Sequence, residues 1–97
     1  MADLEEQKRY LELQRADQAK VLLENPMLKS ALEDIETEVL RMMESTHDTE
    51  LVLKLHRMLV CGRKFKNILQ SHLETGKMAA IELEQKRKFN LLKWGTN

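Results

Sequence analysis

Apolar side chains recur through the middle of this chain at the alternating spacing of an α-helix that hides one stripe. Leu28, Leu32, Ile35, Val39 and Met42 are separated by 4, 3, 4 and 3 residues. Leu51, Leu55, Met58, Gly62, Phe65, Leu69 and His72 repeat the alternation further on. Between the two runs lies Ser45-Thr46-His47-Asp48, four residues whose side chains favour turns and helix caps. Two heptad stripes joined by so short a break predict an antiparallel helical hairpin, with one helix over about 26–44 and the other over about 49–75. Its packing seam is expected to consist of Leu28, Leu32, Ile35, Val39, Met42, Leu51, Leu55, Met58, Gly62, Phe65 and Leu69.

Punctuation on either side divides the remainder. Asp3 suits an N-cap, with Glu5 and Glu6 in the first turn, where acids complement the helix dipole. A first helix over about 3–24 follows, carrying a loose stripe of Leu4, Leu11, Leu13, Ala16, Ala19, Leu22 and Leu23. It stops at Asn25-Pro26, because the residue before proline is pushed out of the α region. The same dipeptide starts the next helix, with Asn as cap and Pro at the first helical position. Thr75-Gly76 reads as a helix C-terminus with glycine in the left-handed position. A C-terminal helix over about 77–93 then carries Met78, Ile81, Phe89 and Leu92, and the pattern leaves open whether it folds back or continues the third helix. Trp94 to Asn97 form a short tail, in which Trp94 either tucks against the bundle or anchors a partner. The expected architecture is all-α, a single helical domain over 1–97. Gly62, a costly residue in a helix, is expected to admit another backbone, the first helix being the candidate; a kink is the alternative.

Composition agrees with helices. The 97 residues include three Gly and one Pro, with few aromatic or β-branched side chains. A chain this short buries a limited fraction of its surface, so self-association or a partner is a natural supplement to its stability. The apolar edge formed by Val52, Leu59, Leu73 and Leu83 is expected to lie under the first helix or another subunit. No apolar run reaches the roughly 18–20 residues needed to span a bilayer, and the charged start MADLEEQKRY lacks the apolar segment of a secretory signal. A single cysteine fits a reducing cytoplasm. The formal net charge of zero conceals an asymmetry: residues 1–50 carry 13 acidic and 6 basic groups, residues 51–97 carry 3 and 10. Such a chain attracts its own other half, a second copy or a charged partner.

Candidate chemistry is sparse. Cys61 stands five residues after His56, on a different helix face, so no base reaches it and it reads as a small packing residue. Ser45 and His47 share a turn with no oxyanion-hole loop after it. His47, Asp48 and Glu50 form the nearest thing to a metal cluster, without any recognised ligand spacing. No glycine-rich phosphate loop occurs. His72 suits a polar contact at a helix end, and Met42, Met43 and Met58, grouped around the turn, suit core filling. These observations point away from an enzyme, a cofactor or a small-molecule substrate. The basic residues Lys54, Arg57, Arg63, Lys64, Lys66, Lys86, Arg87 and Lys88 form a surface suited to nucleic-acid phosphates or an acidic partner. The simpler expectation is that this surface pairs with the acidic half.

Two stretches carry a family pattern. The first, Arg15 to Glu36, contains A-x-x-L-L-x-N-P-x-L-x-x-A-x-x-x-I-E on Ala19, Leu22, Leu23, Asn25, Pro26, Leu28, Ala31, Ile35 and Glu36. The second, Lys54 to Glu84, contains F-x-x-x-L-x-x-x-x-x-x-G-K-M-A on Phe65, Leu69, Gly76, Lys77, Met78 and Ala79. In these the chain resembles small α-helical proteins of tailed bacteriophages, encoded among genes for DNA packaging and head assembly. The resemblance implies a non-enzymatic interaction or assembly protein of a phage, oligomeric with itself or bound to another phage protein. It places the chain in the host cytoplasm or the virion and transfers no functional residue. The longer charged N-terminus and the Phe89–Trp94 tail depart from the pattern. Two rivals accompany this reading: a DNA-binding packaging accessory similar to a small terminase subunit, and a small phage inhibitor of a host protein that uses the acidic half as a decoy.

Overall fold

The structure is a computed structural model that describes residues 3–95, with side chains through Lys93. It is all-helical: α1 spans Leu4–Glu24, α2 Pro26–Ser45 and α3 Thr49–Gly95. Each start is built by a side chain the sequence marks. Asp3 Oδ1 accepts from the Glu6 amide at 2.7 Å. Asn25 Oδ1 accepts from the Met27 and Leu28 amides at 2.9 and 3.1 Å, with Pro26 opening α2. Asp48 Oδ1 accepts from the Glu50 and Leu51 amides at 3.0 and 3.3 Å, starting α3 after a three-residue turn, 46–48. These caps satisfy N–H groups that have no partner inside the helix.

One expectation is corrected. There is no separate C-terminal helix over 77–93: α3 runs through Gly76 for 47 residues and ends in what reads as a tail, at Gly95. No glycine among the described residues has a positive φ. The sequence after Gly76, Lys-Met-Ala-Ala-Ile-Glu-Leu-Glu, is rich in strong helix formers, and Gly76 has a tertiary task that replaces capping.

That task fixes the arrangement. Both α1 and α2 pack antiparallel on α3, one after the other. α2 lies on its N-terminal half, where Val39 is buried with Leu55 and Leu59 beside Met43 and Leu51. α1 lies on its C-terminal half, where Ala16 faces Gly76 so closely that a Cβ on the glycine would sit 2.2 Å from the Ala16 Cβ. Ala19 and Ala79 are buried nearby, so the close approach is lined by small residues. Gly62, in contrast, has nothing within 4 Å of where its Cβ would be. The backbone contact expected at Gly62 is therefore made at Gly76, and α3 passes both positions as one helix.

The outcome is a rod with extents of 75 × 25 × 18 Å, two helices thick. Forty-seven residues at 1.5 Å each span about 70 Å, so α3 alone sets its length. The radius of gyration is 20.9 Å, against about 12.5 Å for a compact domain of this size. Among the described residues the buried apolar side chains are Ala16, Ala19, Val39, Leu55, Leu59 and Ala79, and no large one is fully enclosed. No helix of the described residues is long and apolar enough to cross a membrane.

Candidate interaction surfaces

The seam expected from the heptads is wider than the contact that uses it. Val39 and Leu55 are buried, and Leu28, Leu32, Leu51, Gly62 and Leu69 are half-buried. Leu59, expected at an outer edge, instead completes the core, while Val52, Leu73 and Leu83 are half-buried. Ile35, Met42, Met58 and Phe65 stay 50, 37, 54 and 45% exposed. A heptad stripe spans a broad arc on a straight helix, and one neighbour covers only part of it.

The uncovered parts share one side of the rod. At about 100° per residue, Ile35 and Met42 stand roughly 40–60° to one side of Val39, and Met58 and Phe65 roughly 60–80° to the same rotational side of Leu55. Because α2 and α3 are antiparallel, that common sense of rotation turns both rows to the same face. Ile35 and Met58 also line, with Leu28, Leu32 and Leu59, a groove of about 380 Å³ that extends between the helices to Glu36 and Arg63. Gly62 widens it, and Lys29, Glu33 and Lys66 form polar parts of its wall.

Charges partly neutralise each other across the helices. Arg63 pairs with Glu36 at 3.0 Å. Lys86 bridges Asp3 and Glu6, and Arg9 pairs with Glu82 and, within α1, with Glu12. The short hydrogen bond from Lys86, then that from the Glu6 amide, holds the Asp3 carboxyl below its ordinary range, and the bond to Asp3 in turn raises Lys86. Lys88 reaches Glu84 at 3.6 Å. Lys54, Arg57, Lys64, Lys66 and Arg87 make no ion pair among the described residues. The expected basic surface thus divides into three residues bound to acids and five available to a partner.

Cys61 is exposed, which corrects its reading as a packing residue. It sits on the same side of α3 as Met58 and Phe65, away from the Leu55–Leu59 contact. His72 is half-buried on α3, and His47 and His56 are exposed. No three His, Cys, Asp or Glu among the described residues gather as a metal site. The expectation for the Trp94 side chain lies outside the described residues.

Sequence reasoning missed that the stripe on α2 and α3 serves two surfaces. The signal was present in its width: Met58 and Leu59, adjacent in sequence, both belong to apolar rows, and one neighbouring helix covers only Leu59. No family model, curated protein or solved structure matches this chain.

Proposed function

We propose that this chain is a non-enzymatic assembly protein that acts by packing its uncovered apolar side against another protein surface. The observation that carries the reading is the exposed row Ile35, Met42, Met58 and Phe65 on a rod only two helices thick. Domains ordinarily close their core with two packed layers, and α2 with α3 supply one. The resemblance of Arg15–Glu36 and Lys54–Glu84 to small helical phage proteins supports a setting in head morphogenesis or DNA packaging, in the host cytoplasm or the particle. Mass spectrometry of purified particles and assembly intermediates tests this. The chain is expected in at least one fraction, and a Met58→Asp/Phe65→Asp variant is expected to be lost from it. Absence of the unaltered chain from every fraction refutes the setting.

A second reading, a packaging accessory that touches DNA, is favoured by the five basic residues that make no ion pair among the described residues. It predicts a duplex-DNA complex that weakens steeply with salt and is lost in Lys64→Glu/Arg87→Glu. No complex at about 50 mM salt refutes it.

A further inference from the structure

We propose that the occupant of the apolar side is a second copy of this chain, packed with the two rods parallel so that α2 of each lies on α3 of the other. The inference rests on the reading of that side as a binding surface and names what binds there. Area is the first argument. The chain exposes 8167 Å², about 2,400 Å² more than the roughly 5,800 Å² of a compact monomer of its 11.4 kDa mass. A standard interface needs about 600–1,000 Å² from each partner. The surplus therefore exceeds what a stable pair removes, and a second two-helix layer converts the rod into a four-helix bundle.

Charge selects the orientation. A two-fold axis along the rod places acidic α2 over basic α3 and keeps heights along the rod unchanged. The Glu36–Arg63 pair and the contact of Val39 with Leu55 and Leu59 fix those heights, setting Asp34 level with Lys64 and Glu38 within a turn of Arg57. Asp34 and Lys64 lie on the outer flanks of the apolar rows and make no ion pair among the described residues. In the parallel pair Asp34 of one copy meets Lys64 of the other, twice by symmetry. A two-fold axis across the rod stacks α2 on α2 and α3 on α3, opposing like charges on both. Such juxtaposition acts against that arrangement.

The full chain with Cys61→Ser is made in three forms, Asp34→Cys, Lys64→Cys and both together, and treated with a short bismaleimide. Light scattering behind size exclusion accompanies it over about 1–100 µM protein. The expected result is a dimer in solution, with covalent dimer formed efficiently only by the double variant. Phe65→Asp, which alters an exposed position, is expected to keep its helical circular dichroism and weaken dimerisation at least 100-fold. Efficient linking by either single variant overturns the parallel arrangement. A monomer across the whole range overturns the second copy as occupant. The broader assembly reading is then judged independently by the Met58→Asp/Phe65→Asp loss from phage fractions.

Discussion

Two glycines on one helix experience the same substitution in opposite ways. Replacing glycine by alanine inside a helix gains about 1 kcal/mol from backbone entropy. At Gly62 nothing lies within 4 Å of the new methyl, so the full gain is expected, a rise in Tm of about 4–8 °C for a domain of this size. At Gly76 the methyl meets the Ala16 Cβ at 2.2 Å and the Glu12 carbonyl oxygen at 3.6 Å. Carbon atoms rest about 3.5–4.0 Å apart, so α1 must retreat by more than 1 Å. Overpacking of this kind costs about 1–3 kcal/mol. It also loosens Ala19 and Ala79, which share the close approach. Gly76→Ala is therefore expected to be the less stable of the pair by about 1–3 kcal/mol. Urea melts followed at 222 nm, at one protein concentration so that association does not intrude, measure the difference. The exchange variant Ala16→Gly/Gly76→Ala moves the methyl across the interface and is expected to return within about 1 kcal/mol of the parent. If Gly76→Ala proves as stable as Gly62→Ala, the close approach of α1 and α3 is wrong.

Other consequences follow from single contacts. Asn25→Ala removes the acceptor of two amides at the start of α2 and is expected to cost about 1 kcal/mol in the same melts, whereas Asn25→Asp retains the cap. Leu55→Ala empties the Val39–Leu59 contact and is expected to cost about 2–3 kcal/mol, near the low end for a core leucine because a two-helix pair can close on the gap. Asp3, lowered by Lys86, contributes stability that is full above its unfolded value near pH 4 and lost as pH falls through its lower folded value. Lys86, raised by Asp3, contributes fully below about pH 10 and loses its contribution as pH rises through its folded value. NMR titration of the Asp3 carboxyl carbon is expected to give a midpoint below 3.9, restored by Lys86→Met; an unshifted midpoint would dismiss the pair.

What the sequence reveals here depends on how far apart the deciding atoms lie. Asn25 and Asp48 accept from amides two or three residues away, and Pro26 restricts only its own φ and the residue before it, so these helix starts were legible without any fold. Gly76 could not be read the same way. Its surroundings resemble a helix end, and the residue it packs against, Ala16, belongs to another helix. The apolar rows were visible, but their division between an internal contact at Leu59 and an open side at Met58 depends on where α2 sits. The basic surface was visible too. Its reduction by Glu36, Asp3 and Glu6 required the register of the helices.

The joint at Asn25 has a mechanical consequence. One edge of the rod is interrupted by a single non-helical residue, while the opposite edge is unbroken. Around Lys66 to Leu73, level with that joint, bending stiffness is carried by α3 alone, as by a splint across a cut. Each end is stiffened by its own helix pair. Load applied along the flanks therefore concentrates its flexure at mid-length, where bending parts neither of the packed halves.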